Sequence, residues 1–299
     1  MTVLRARAPA KVNLCLFLGR PRADGLHELV SVLESVSLAD DVELAPAPDG
    51  VEADEVICPG VEGPNLAASA LAAFRRETGW DAPPQRLEIR KRVPVAAGMG
   101  GGSADAAAAL RLAARALAAD GDAVLKRLAP ELGADVPAAL DPGAALTTGA
   151  GEEVRRLRQL DPHGVLVVPL AERLETPAVF AEADRLGLPR APDDLAERLA
   201  EVEAAFSQAG RVSGELLRND LERAARSLCP AIEPALEAAR GAGADRVLVT
   251  GSGPTVVGIF TGPAGVARAG SAAESLRPRF PDTCAAAPVA ADFGAPREA

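Results

Sequence analysis

Val93-Pro94-Val95-Ala96-Ala97-Gly98-Met99-Gly100-Gly101-Gly102-Ser103-Ala104-Asp105-Ala106-Ala107-Ala108-Ala109 sets four glycines into five positions, then a serine and an alanine-rich run. Alanine is the strongest helix former and serine a good N-cap, so the run predicts a helix opened by Ser103. Glycines let backbone pass close to a ligand and take positive φ. A glycine loop feeding a helix start aims free N–H groups and the positive dipole end at one spot, which suits phosphate. No Lys follows the glycines as a P-loop requires, and Ser103 stands where the dinucleotide pattern needs its third glycine. By itself the segment reads either as a phosphate loop or as a flexible strand-to-helix connection.

The bulk numbers narrow the class. The chain has 299 residues, 48% hydrophobic and 25% charged, which is the make-up of a globular protein of one large or two smaller domains. A net charge of −10 opposes nucleic-acid binding, which needs a basic face. The four cysteines are scattered and there are two histidines, so no zinc pattern, disulfide framework or multi-histidine metal site is expected. The charge-free stretch 247–267 is long enough to cross a bilayer, but its glycines and prolines make it two strands and a tight loop. No membrane partner and a cytoplasmic location follow as expectations.

Patterning predicts strands at 3–7, 12–18, 28–38 and 41–45, the last two flanking an Ala39-Asp40-Asp41 turn. Helices are expected at 65–76, 103–119 and 121–128, and a strand at 144–148. Beyond residue 155 a strand at 165–168, helices at 176–186, 195–208 and 229–240, strands at 246–250 and 255–260, a helix at 263–276 and a strand at 284–290 follow. Mixed elements in both halves give an α+β class. Residues 187–196 read as a linker, and 292–299 as a frayed tail.

Three segments in order, Pro9-Ala10-Lys11-Val12-Asn13-Leu14, the glycine loop and Thr250-Gly251-Ser252-Gly253-Pro254, resemble the three motifs of the GHMP kinase superfamily. Arg22-Ala23-Asp24-Gly25-Leu26-His27-Glu28-Leu29 is similar to the "R-x-DGYHEL" signature of its 4-diphosphocytidyl-2-C-methyl-D-erythritol kinase branch. Gly133-Ala134-Asp135-Val136-Pro137 looks like that branch's "GADVP", and Asn219-Asp220-Leu221-Glu222 like its "NDLE". The resemblance spans essentially the whole chain. It implies a two-domain fold, an N-terminal domain like ribosomal protein S5 domain 2 (1–156) and a ferredoxin-like C-terminal domain (157–291), with the active site in the cleft between. It also implies phosphorylation of the 2-hydroxyl of the cytidyl-linked methylerythritol by ATP with magnesium (Mg2+), in non-mevalonate isoprenoid synthesis. The expected partner is this small-molecule substrate, and the chain is expected to be a monomer or weak homodimer. Two rival readings are a GHMP kinase for another small alcohol and a non-catalytic nucleotide-binding relative.

The site residues follow from the same match. Asp135 would accept the hydroxyl proton, and Lys11, on one strand face with Asn13, would keep that carboxylate ionised and steady the moving phosphoryl charge. Read without the motifs, the pair is a turn Asp and an edge-strand Lys. ATP would meet Lys91, Pro94, Gly98, Gly100, Gly101, Gly102 and Ser103. Lys91 either reaches the nucleotide or is solvated. Ser103 caps the helix, touches magnesium, or does both. Asp105 is expected to face away from the phosphates. The acceptor would meet Asn13, Leu26, His27, Phe180, Gly251, Ser252 and Gly253, with His27 at the cytosine edge and Phe180 stacked on the base. The plain alternative for His27 is a turn residue paired with Asp24, and Phe180 reads equally as core. Leu26 replaces the Tyr usual in the signature, and Ala104 replaces a second Ser.

Overall fold

The computed structural model describes residues 2–118, 121–208, 210, 212 and 214–299. Strands β1 (Leu4–Pro21) and β2 (His27–Pro46) pair antiparallel along their length. The sequence reading breaks each in two. Each is instead continuous, with register shifts between Pro9 and Lys11 and between Asn13 and Cys15 absorbing the irregularity. Asp40, expected in a turn, sits inside the ladder opposite Ala8 and is fully buried. Its carboxylate accepts from Lys91 Nζ and from the N–H groups of Arg92 and Val93, which offsets the cost of burying it.

Next come β3 (Glu55–Ile57), α1 (Leu66–Thr78), β4 (Gln85–Arg90), α2 (Gly101–Leu117), α3 (Asp122–Leu132), α4 (Val136–Ala139), β5 (Ala144–Thr148) and β6 (Glu153–Arg156). Asn65 caps α1 by accepting from Ala67 N. The expected end of α2 at residue 119 lies outside the described residues. Helix α3 outruns its expected end at 128 and carries Pro130 inside, because Leu125, Leu128 and Ala129 hold its apolar face in the core. Helix α2 buries Ala106, Ala107, Ala108 and Ala109 completely, so small side chains let it lie close to the sheet and to α1.

The rest of the chain gives β7 (His163–Val168), α5 (Thr176–Arg185), α6 (Pro192–Val202) with a π-helical turn at Glu203–Gln208, α7 (Glu222–Leu228), α8 (Ile232–Gly241), β8 (Arg246–Val249), β9 (Val256–Thr261), α9 (Gly265–Leu276), β10 (Cys284–Ala286) and β11 (Arg297–Glu298). Helix α7 was not expected, and α8 begins later than the predicted 229. Strands β10-β7-β9-β8 make an antiparallel sheet whose spatial order is fourth, first, third, second in chain order, the ferredoxin-like arrangement. The first sheet runs β11-β1-β2-β4-β3, with β5 and β6 branching from β2.

Two expectations about connections need correcting. Residues 187–196 are no loose linker: Arg190 N donates to Leu18 O, its guanidinium pairs with Asp220 and Asp194, and Pro192 opens α6. The tail is not frayed either: Arg297 and Glu298 pair with Arg5 and Leu4 as an edge strand. The two sheets share one apolar cluster, in which Val12, Leu14 and Phe17 meet Val165, Val167, Phe206 and Ile259. His163 Nε2 lies 2.6 Å from Glu34 Oε2 across the same junction, both side chains buried. Burial alone would lower the His163 pKa, but the Glu34 carboxylate and the Asp161 carbonyl raise it above the ordinary value. No helix among the described residues is long and apolar enough to cross a membrane.

Candidate active site

The glycine loop lies between β4 and α2 and faces the Thr250–Pro254 turn between β8 and β9. They touch backbone to backbone. A Cβ on Gly98 would strike the Thr250 carbonyl and lie 2.9 Å from Gly253 N, and one on Gly251 would lie 2.6 Å from Gly98 O. Gly98 (φ +76°), Gly100 (φ +67°) and Gly251 (φ +56°) hold left-handed conformations that suit glycine. Ala96 also holds positive φ, at +54°, a strain of the kind stored at functional loops. Gly101 does not: it opens α2, against Val93 and Lys91, and Gly102 faces open space. The helix therefore starts two residues before Ser103. Gly100 is its N-cap, so Ser103 lies inside the first turn with its hydroxyl not used as a cap.

Lys11 stands where these elements meet. Its N–H donates to Met99 O. Its Nζ donates to Asn13 Oδ1 at 2.9 Å and lies 3.5 Å from Asp135 Oδ2. Asn13 Nδ2 donates in turn to Ser31 Oγ, and Asn13 N to Thr250 Oγ1. Asn13 thus spends its amide aiming the lysine. Asp135 takes the N-cap position of α4, yet its side chain makes no cap bond and stays free toward Lys11. The NDLE segment acts from behind. Asn219 Nδ2 donates to the carbonyls of Val249 and Gly251, and Glu222 accepts from Val249 N.

A cleft of about 530 Å³ runs past these groups. It brings together Lys11, Asn13, Lys91, Pro94, Asp135, Phe180, Ser252 and the loop from Gly98 to Ser103. Three expected residues do not line it. Leu26 is 53% exposed on the turn before β2. Gly253 packs backward on Val249, Ala225 and Leu174. His27 is buried behind Phe180, their ring centroids 5.1 Å apart, and its Nε2 meets Asp184 rather than Asp24. Asp24 pairs instead with Arg22, which also holds Glu152 of the β5–β6 hairpin.

Lys91 lines the cleft and is not the solvated lysine of the alternative reading. Its Nζ is 2.5 Å from Asp40 Oδ2 and 2.7 Å from Asp105 Oδ2. Asp105 lines the cleft's wall under the loop, where burial pushes its carboxyl up to about 7 against the pull of Lys91. Sequence reading missed Thr250, Asn219's grip on the turn, and Thr176, whose Oγ1 lies 3.0 Å from Ser252 Oγ in the cleft. Their partners are remote in sequence; the position of Thr250 beside Gly251 and of Asn219 in the NDLE match offered the signals, and Thr176 had none.

The fold and cleft are those of a GHMP kinase. The GHMP kinases N terminal domain matches residues 65–161, and the GHMP kinases C terminal domain matches residues 191–277. A 4-diphosphocytidyl-2-C-methyl-D-erythritol kinase of Streptomyces coelicolor is 43% identical over 91% of this chain and 94% of its own length. One from Anaeromyxobacter sp. (strain K) is 43% identical over 85% of this chain and 80% of its own. A crystal structure of 4-(cytidine 5'-diphospho)-2C-methyl-D-erythritol kinase aligns with TM-score 0.72 and 32% identity, covering 94% of this chain and 98% of the other. Homoserine kinase from Cytophaga hutchinsonii aligns with TM-score 0.73 at 17% identity, over 99% of this chain and 97% of the other, a likeness of fold. The chain belongs to the 4-diphosphocytidyl-2-C-methyl-D-erythritol kinase family, and is a small-molecule kinase.

Proposed function

We propose that the chain transfers the γ-phosphoryl group of ATP to the 2-hydroxyl of 4-diphosphocytidyl-2-C-methyl-D-erythritol. The observation that carries this reading is the Lys11–Asp135 pair, 3.5 Å apart in a cleft walled by the glycine loop and the Gly251 turn. The acceptor hydroxyl oxygen forms the new P–O bond as the bond to ADP breaks, and Asp135 takes the hydroxyl proton. Lys11, aimed by Asn13, balances the charge on the transferring group. The transition state is loose, so placement and charge count for more than base strength. The base of the acceptor would rest on half-buried Phe180, which lines the cleft.

Magnesium would be held mainly by the nucleotide phosphates, as this ion usually is. Among the described residues no group of three or more His, Cys, Asp or Glu could hold a metal ion by itself. The uncapped Ser103 hydroxyl, in the first turn of α2 and at the cleft, fits the role of its protein ligand, and there it would offset phosphate charge. Residues 1–156 form the nucleotide-binding unit and 157–291 the second unit. Lys11, Asp135 and the glycine loop come from one chain, so the reading needs no residue from a second copy; a monomer or weak homodimer acting in the cytoplasm is part of the same proposal. A coupled ADP-release assay tests the reading: ADP should form with the cytidyl alcohol and not with homoserine or mevalonate. The opposite pattern would transfer the chain to another acceptor.

A further inference from the structure

We propose that Asp40, Lys91 and Asp105 form a staple across the two ends of the glycine loop, which makes Lys91 a positioning residue for the nucleotide rather than a ligand of its phosphates. The proposal rests on reading the loop as the nucleotide site. The loop leaves the first sheet at Lys91 and ends where α2 begins. At its entry, fully buried Asp40 accepts from Arg92 N at 2.5 Å and Val93 N at 2.8 Å. The same carboxylate holds Lys91 Nζ at 2.5 Å. At its exit, Lys91 Nζ donates to Asp105 Oδ2 at 2.7 Å, one turn into α2. One ammonium thus ties the strand that delivers the chain to the helix that receives it.

Three features separate a staple from a phosphate ligand. Two of the three ammonium donors are already committed to carboxylates. The three side chains are 0%, 13% and 5% exposed for Asp40, Lys91 and Asp105, so the cluster is sunk in the cleft's wall and only the edges of Lys91 and Asp105 reach its surface. With two carboxylates to one ammonium, its ionised form carries a net negative charge and does not attract phosphate. Its contact is with the loop itself: a Cβ on Gly101 would lie 3.2 Å from Lys91 Nζ. A loop that binds through converging backbone N–H groups depends on fixed ends, since any drift of the ends spreads those donors apart.

The two roles predict opposite signs for one substitution. Asp105→Ala cuts the exit tie, frees the ammonium and, above pH 7 where Asp105 is ionised and the titrations are run, removes a negative charge from beneath the loop. If Lys91 is a phosphate ligand, ATP binds more tightly. If it is a staple, ATP binds about tenfold more weakly, the size expected for losing one charged hydrogen bond. Asp105→Asn keeps an oxygen for Lys91 Nζ and should stay within about threefold of wild type. Titration calorimetry of the full chain with ATP and magnesium, without any acceptor, reads all three proteins, and thermal melting is recorded alongside. Tighter binding by either variant overturns the proposal. So does a lowered melting temperature with unchanged affinity in Asp105→Ala, which is the mark of a merely structural ion pair. Should Asp105→Ala fail to fold, the sign for Asp105→Asn still decides, because charge removal alone would tighten binding. No ATP binding by the wild type would instead refute the nucleotide reading, a result separate from any difference between variants.

Discussion

Gly98→Ala and Gly102→Ala place the same methyl group four residues apart in one loop, and the structure predicts opposite outcomes. At Gly98 the new Cβ meets the Thr250 carbonyl and the Gly253 backbone, neither of which can rotate away. The residue also holds φ +76°. Left-handed backbone costs a non-glycine residue about 1–2 kcal/mol, and overpacking against rigid neighbours about 1–3 kcal/mol, so roughly 2–5 kcal/mol is expected. At Gly102 nothing lies within 4 Å and the residue is helical, so alanine should stabilise by about 0.5–1 kcal/mol. A chain of this size shifts its melting temperature by about 2 °C per kcal/mol, so Gly98→Ala should melt roughly 4–10 °C lower and Gly102→Ala slightly higher. The functional effect follows from the same contact. The turn pushed by Gly98 includes Gly251, whose Cβ position is 3.2 Å from Lys11 Nζ. A displacement of about 1 Å there should cost on the order of 10²-fold in kcat. Calorimetric melting and a steady-state ADP assay on both variants give the answer. Equal melting temperatures and equal kcat for the two would refute the claim that loop and turn form one rigid seat for the lysine.

Asp135→Asn should lower kcat by at least roughly 10²-fold with little change in acceptor KM, and Lys11→Met should act in the same direction. Their double variant should be less than additive, and additive losses in steady-state kinetics would separate the two roles. The buried His163–Glu34 pair predicts a pH dependence of stability. A histidine whose pKa is higher folded than unfolded stabilises fully below its unfolded value near 6.5, and that contribution fades as pH rises through the folded value. Melting temperature should therefore fall above neutral pH, and Glu34→Gln should flatten the slope; an unchanged slope rules this pair out as its source. Phe180→Ala should raise acceptor KM while leaving ATP binding intact, by loss of stacking worth about 1–3 kcal/mol. Leu26→Tyr should lower acceptor KM at constant kcat, and a silent result there, with Leu26 exposed as it is, would place the second face of the base elsewhere.

What the sequence made legible was local or motif-borne. Apolar patterning marked the longer strands of both sheets but not β3, β6 or β11, and the alanine run marked α2, because burial at a fixed period leaves its trace in neighbouring residues. Lys11 and Asp135 were named through segments that each look ordinary; nothing local says that residues so far apart lie 3.5 Å from each other. The misreadings share one physical cause. Ala39-Asp40-Asp41 reads as a turn because a charged residue inside a strand has no local partner. Its partners arrive with Lys91, Arg92 and Val93, on the chain that follows β4. The alternative that pairs His27 with Asp24 fails for the same reason, since Asp24 is near in sequence while Asp184 is not. Ser103 reads as a cap because serine caps helices, but Gly100 takes left-handed backbone as the N-cap and α2 starts at Gly101, two residues before Ser103. In each case a polar side chain was assigned the nearest use its chemistry allows. Tertiary structure supplied a more distant one, and the distant partners are what tie β2, the glycine loop and α2 into a single wall of the cleft.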